Sequence, residues 1–226
     1  MTSVRASVEA TLRDWLGLHW RRCYSQEGED MILRRVFEHK ADGFYVDVGA
    51  HHPMRFSNTH FFYRRGWRGI NVDARPGSKR VFDRARRRDV NVECGIARQA
   101  GVASYYEFNE PALNGFSASL SGQRDGRSDY RIVATHQVQV VTLRELLDAH
   151  LPPGQQIDFL SIDVEGLDLD VVLSNDWEKY RPAFVLVEIL GTSLGDVIDS
   201  PIAQAMAAEG YEIFAKCVNT VFFRKT

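Results

Sequence analysis

The feature that most constrains this chain is a sustained alternation of short apolar runs with stretches of helical period. Strand-like runs fall at 43–48 (GFYVDV), 69–72 (GINV), 90–92, 103–108, 138–141, 157–162 (IDFLSI), 183–190 (AFVLVEIL), 211–216 and 220–224. Helical patterns lie between most of them, at 28–39, 57–65, 77–87, 142–149, 168–173 and 195–208. Runs this short have the length of strands, and their alternation with helices predicts an α/β fold with a doubly wound, mostly parallel sheet. The last two runs are separated only by a Val-Asn turn, too short for a helical crossover, so an antiparallel C-terminal hairpin is expected. With 226 residues, no internal repeat and no Gly/Ser- or Pro-rich linker, one large domain is expected over 24–226, preceded by a helical extension over 1–23.

The segment 98–141 breaks the rhythm. A polar stretch, NEPALNGFSASLSGQRDGRSD, separates two strand-like runs there, and a loop of this length inside a compact domain is expected to cover an active site. Composition (44% apolar, 26% charged) excludes a disordered, collagenous or coiled-coil chain. Cys23, Cys94 and Cys217 form no CxxC pair, which argues against a disulfide framework or zinc ribbon and fits a reducing compartment. Arg5, Glu9, Arg13 and Asp14 interrupt any signal-peptide core, and the apolar run 183–187 is far too short for a bilayer. A cytoplasmic protein without a transmembrane segment is expected.

The net charge of −2 conceals a polarity. Residues 64–88 hold ten Lys/Arg against two acids, whereas residues 150–200 hold ten Asp/Glu against two bases. A nucleic-acid partner would use the basic band. Its arginines, however, spread over a helix end, a strand and a second helix, so they point in several directions and no nucleic-acid partner is expected.

In an open parallel sheet, ligands bind at the carboxyl ends of the strands. The first strand ends in Asp47-Val48-Gly49-Ala50-His51-His52, where Gly49 permits a tight turn and Asp47 can orient it or accept from a ligand amine. Asp73 ends the second strand, placed to take both hydroxyls of an adenosine ribose or to cap the next helix. The third strand ends in Glu93 and Cys94, where an adenine would lie. The fourth ends in Asp163-Val164-Glu165, and these two carboxylates admit four readings: metal ligands, general base, a clamp on a substrate hydroxyl, or helix N-terminal charges. Asp168 and Asp170 are read as helix-dipole charges. Glu188 puts a further acid in an apolar strand, where it is costly unless it faces a cleft.

Together, YSQEGED (24–30), YVDVGAHHPMRFSNT (45–59), GWRGINVDARP (66–76), FNEPALNGFS (108–117), DFLSIDVEGLDLDVV (158–172) and the final NTVFF resemble the FkbM-type S-adenosylmethionine-dependent methyltransferases. The resemblance implies a class I methyltransferase fold, whose parallel sheet ends in such a hairpin, and methyl transfer to a hydroxyl of a sugar or a polyketide-type product. It favours a sugar acceptor, nucleotide-linked or part of a surface polysaccharide. It implies that the turn Asp47, Gly49, Ala50, His51 with Ser57 walls the methionine part of the cofactor. Asp73 with Ala74 would hold the ribose, Glu93 and Cys94 would border the adenine, and Asp163 with Val164 would lie beside the transferred methyl. Ser25, Gln26 and Asp30 would close over the donor. Asn58, Arg75, Asn109, Asn114 and Glu188 are expected to contact the acceptor. Where many relatives read DVGAN and then a glycine two residues on, this chain has His51, His52 and Pro53.

For such a reaction a positioned base would remove the hydroxyl proton, worth roughly 10²- to 10⁴-fold. Asp163 is the first choice, followed by Glu165 and His52. A divalent cation on Asp163, Glu165 or Glu188 would be the other way to lower the hydroxyl's pKa. A nicotinamide-dependent short-chain oxidoreductase shares the fold class and the acid after the second strand. It also needs a Gly-rich turn and a Tyr-x-x-x-Lys pair, and none of the eight tyrosines has Lys four residues later.

Overall fold

The computed structural model describes Trp15, Gly17 and residues 21–190 and 193–226, so most of the helical extension expected over 1–23 lies outside the described residues. The chain forms an α/β fold around a seven-stranded sheet. Strands β1 (Phe44–Val48), β2 (Arg68–Asp73) and β3 (Val90–Glu93) run outward in one direction from the centre. On the other side of β1 lie β7 (Phe159–Ile162), β8 (Phe184–Glu188), β10 (Thr220–Lys225) and, at the edge, β9 (Tyr211–Cys217). The pairs from β3 through β8 are parallel, and β10 is antiparallel to both β8 and β9, so the expected hairpin closes the sheet. Strand order reverses between β1 and β7, which makes their carboxyl ends the switch point where a ligand is expected.

Both faces of the sheet are covered. Val46, Val48, Ile70, Val72, Leu160, Ile162, Val185 and Val187 point to one side and pack with Leu143, Leu146 and Leu147 of α5 (Leu143–His150) and Val171 and Val172 of α6 (Asp168–Leu173). Tyr45, Phe159, Leu186 and Phe222, the alternate positions, point to the other side. They meet Leu33 of α1 (Glu29–Val36), Phe62 of α2 (His60–Arg64) and Trp67. Period-2 side chains thus feed two cores from one set of strands, which is why the central runs are apolar without alternation. Each fully buried Leu, Ile or Phe contributes about 1.5–3 kcal/mol.

Three differences from the expected elements have local causes. The pattern at 195–208 is two helices, α7 (Leu194–Ile198) and α8 (Pro201–Ala208), because Ser200 caps α8 through Ala203 N and Pro201 cannot continue a helix. The run at 138–141 is the end of a longer strand, β6 (Ile132–Val141), whose alternate residues face solvent and so produce no apolar block. It pairs antiparallel with β5 (Gly101–Phe108) and parallel with the two-residue β4 (Gly95–Ile96), forming a second, three-stranded sheet. A short helix, α4 (Ala118–Arg124), sits inside the stretch expected to be a loop. The remaining helix, α3 (Ser78–Ala85), follows β2. No helix among the described residues is long and apolar enough to cross a membrane.

Candidate functional site

A cleft open to solvent lies over the carboxyl ends of β1, β2 and β7. Its first wall is made by backbone. Gly49 turns the chain out of β1 with φ +84°, and a Cβ there would stand 1.7 Å from the carbonyl oxygen of Asp163. Only glycine meets both conditions. The turn is tied to the neighbouring strand by Gly49 N and Ala50 N, which donate to Val72 O at 2.9 and 3.0 Å. Asp73 completes the wall. Its Oδ2 accepts from His51 N (2.8 Å) and its Oδ1 from Arg75 N (2.9 Å), so each carboxylate oxygen keeps a lone pair for a ligand hydroxyl. Burial pushes its pKa up to about 6, against the pull of those backbone donors.

The floor is acidic. Asp163 stands at the end of β7 with its carboxylate reaching the cleft, and Glu165 and Glu188 converge on it, one oxygen or another of the three lying within 4.8 Å of the rest. Glu165 has φ +55° and Gly166 φ +101°, a double left-handed turn held by Asp168, which accepts from Val164 N and Gly166 N at 3.1 Å each. Asp168 therefore builds the turn in addition to its place at the start of α6. Asp163 is exposed at the open floor, yet the protein packed around it, and then the neighbouring Glu188, Asp168 and Glu165 charges, raise its pKa above the usual carboxylate range. Burial and the Glu165 charge raise Glu188 to about 8.

The second wall comes from the segment 95–124. Gly95, Ile96, Tyr105, Pro111, Ala112, Asn114, Gly115 and Phe116 line it. Asn114 Oδ1 accepts from Phe108 N at 2.8 Å, and Tyr106 and Gly115 exchange backbone hydrogen bonds, which folds the stretch back onto β5. Arg124 of α4 forms an ion pair with Glu165 at 2.7 Å, both side chains more than four-fifths buried. Part of the segment expected to cover an active site thus lines this cleft, through Tyr105 and residues between Pro111 and Phe116.

Of the residues singled out in the sequence, the structure brings Gln26, Gly49, His51, Asp73, Ala74, Arg75, Cys94, Asn114, Asp163, Val164 and Glu165 to the cleft, with Glu188 joining its floor. The His51 imidazole is held neutral, its pKa lowered to about 4 by burial and then by Arg75 and Arg55. Others lie elsewhere. Asp47 points to the opposite face of β1, where it accepts from Thr59 Oγ1 (3.0 Å), and burial raises its pKa to about 6. Ser57 and Thr59 take the fully buried Arg86 guanidinium, which also donates to Pro53 O (2.9 Å) and Tyr45 Oη (3.1 Å). Asn58 donates to Ser161 Oγ. These groups form a polar network beneath the Gly49 turn. Ala50 is buried outside the cleft lining.

Asp30 is enclosed by Ser25, Tyr24 N and Arg34, which fixes the segment carrying Gln26. Glu93 faces α3, accepting from Gly77 N and Lys79 N, so it caps that helix. Asn109 bridges to Asp129 O and Arg131 N at the far end of the β5–β6 pair. His52 lies in a neighbouring depression, its Nδ1 accepting from Met54 N and Arg55 N. Tyr105, Phe116 and Arg124 are functional-site residues to which their sequence positions alone did not point. The block FNEPALNGFS was the one signal leading to Phe116.

The family model described as "Methyltransferase FkbM domain" matches residues 47–213. Among solved structures, the chain is similar to a TehB-like SAM-dependent methyltransferase from Corynebacterium glutamicum ATCC 13032 Kitasato. That similarity has 10% sequence identity and a TM-score of 0.40, covering 98% of this chain and 100% of the other. No curated protein matches the chain at a significant level.

Proposed function

The chain belongs to the FkbM methyltransferase domain family, and from that premise we propose that it moves the methyl group of S-adenosylmethionine onto a hydroxyl oxygen of a sugar, free in a nucleotide-linked unit or within a surface polysaccharide. The observation that carries this reading is the acidic floor: Asp163 and Glu165 line one cleft with the Gly49 turn and Asp73, and a Glu188 carboxylate oxygen lies within 4.8 Å of theirs. The order β3-β2-β1-β7-β8-β10-β9 with an antiparallel β10 supports a class I methyltransferase fold.

The residues present fit the donor. The Gly49 turn offers backbone with no side chain in the way, and Asp73 keeps two free lone pairs for a ribose. The walls at Cys94, Gly95 and Ile96 are small and largely apolar, as a purine requires. Bound there, S-adenosylmethionine would supply an electrophilic methyl group on a cationic sulfonium, and the carboxylates of the floor favour that charge.

Asp163 is assigned as the base that takes the hydroxyl proton. Its raised pKa makes it a stronger proton acceptor, and Glu165 and Glu188 share the proton once it is taken. Gln26, Arg75 and Asn114 give the cleft polar side chains that a polyol can satisfy. Turnover is expected to rise with pH as Asp163, its pKa raised, loses its proton, with Glu188 titrating at about 8 in the same cluster. A second reading places a divalent cation among the same three carboxylates. Arg124 already holds a guanidinium on Glu165, which favours the metal-free base.

The test is incubation with methyl-labelled donor and a panel of nucleotide-linked sugars, glycans and polyketide alcohols, followed by mass spectrometry. The expected product carries the label as a sugar methyl ether, with turnover unchanged by chelator. Label on a polyketide alcohol only, on nitrogen, or on nucleic acid would replace the acceptor assignment. Loss of turnover with chelator and its return with added metal would replace the base.

A further inference from the structure

Beside the mouth of the cleft lies a second depression, lined by Arg22, Arg55, Arg64, His52 and His60 together with Tyr24 and no carboxylate. Phe56 is a wall of both spaces. The cations are held by rings. Arg55 lies 4.4 Å from the Phe56 centroid and Arg22 5.2 Å from that of Tyr24, while Arg64 donates to the Tyr24 hydroxyl. His60 packs edge-on against Tyr24 at 4.6 Å. Arg55 pairs with Glu110 at 3.6 Å, and among the described residues neither Arg22 nor Arg64 pairs with a carboxylate. Elsewhere Arg34, Lys40, Lys79, Arg86 and Arg124 each pair with an acid.

Arg22 and Arg64 therefore bring to this depression positive charge that no carboxylate among the described residues neutralises. Burial lowers the pKa of both imidazoles, followed by Arg75 and Arg55 at His52 and by Arg86 and Arg64 at His60, which is brought down to about 4. His52 spends Nδ1 on two backbone donors, which leaves the hydrogen on Nε2 and makes the neutral ring a donor. Guanidinium groups beside aromatic rings, with the neutral His52 imidazole as a further donor, match the oxygens of a phosphate.

We propose that this depression binds the diphosphate of a sugar acceptor whose reacting hydroxyl lies in the adjoining cleft. The proposal rests on the acceptor reading given above and adds the group by which the acceptor is gripped. A nucleotide-linked and a lipid-linked sugar share that diphosphate. The arrangement also accounts for one member of the basic band: Arg64 faces this depression, whereas Arg80, Arg84 and Arg87 of the same band are exposed away from it.

The test is titration of the full chain with inorganic pyrophosphate at low ionic strength, by calorimetry and by the imidazole signals of His52 and His60. Saturable binding is expected, with both imidazole midpoints raised by about one pH unit. Arg64→Ala and Arg55→Ala are each expected to weaken binding at least about tenfold, and Arg80→Ala to leave it unchanged. Uridine diphosphate binding more tightly than pyrophosphate supports the site and points to a nucleotide source. Tighter binding to vesicles carrying an isoprenyl diphosphate supports it and points to a lipid source. No pyrophosphate binding by the wild-type chain, or equal weakening by Arg80→Ala, overturns it. Donor affinity measured on the same preparations separates the two readings: a chain that binds pyrophosphate but no S-adenosylmethionine loses the proposed function and keeps this site.

Discussion

The two walls of the cleft are built by different means. The β1–β2 wall is backbone: a left-handed glycine flush against the Asp163 carbonyl, two amides on Val72 O, and a carboxylate locked by two more amides. The opposite wall comes from a segment that leaves the main sheet, much of it side chains, and it meets the floor through the Arg124 to Glu165 ion pair and the close approach of Gly115 to Glu165. A wall of backbone admits almost no substitution, because each change displaces the sheet itself. A wall of side chains can be altered residue by residue while the sheet stands. A constant donor on one side and a variable acceptor on the other call for such a division.

Substitutions can break this comparison, and the largest effect belongs to the glycine. Gly49→Ala sets a Cβ against the Asp163 carbonyl, so a loss on the order of 4 kcal/mol in chemical denaturation is expected, with donor binding abolished. Asp73→Asn keeps one acceptor oxygen and loses the charge. It is expected to weaken the donor by about 1.5–3 kcal/mol in calorimetry while turnover at saturating donor stays within a few-fold. Arg124→Ala acts on the other wall. It is expected to raise the acceptor KM by about 5- to 30-fold, the equivalent of one or two kcal/mol, and to leave donor affinity alone. Glu93→Ala removes the cap of α3, lowers stability by about 1 kcal/mol in denaturant, and changes neither affinity. If Arg124→Ala weakened the donor as much as Asp73→Asn does, the walls would not be independent.

The same division explains what could be read from the sequence. Gly49, Asp73 and Asp163 were legible because each ends an apolar run of a parallel strand, where topology alone brings strand ends together. Glu93 ends its strand in the same way, yet its side chain turns to the helix start across the loop, and strand position does not distinguish these outcomes. Asp47 carried its own correction: Val46 and Val48 flank it in a buried strand, so strand alternation puts its carboxylate on the other face. The second wall was illegible for a physical reason. Strand β6 is half-solvated and α4 is a seven-residue helix with little apolar content, so neither leaves the periodic signal that burial on both faces imposes. Arg124 is one of several arginines in polar sequence, and only the fold puts it on Glu165.

The central claim is that the Gly49 and Asp73 side holds the donor while Asp163 takes the proton. The most direct measurement is turnover of Asp163→Asn at saturating donor, beside its donor affinity. The expected result is a fall of roughly 10²- to 10⁴-fold in turnover, with a much smaller loss of donor affinity from the missing floor charge. Near wild-type turnover, or a loss of donor affinity that matches the loss of turnover, would contradict it.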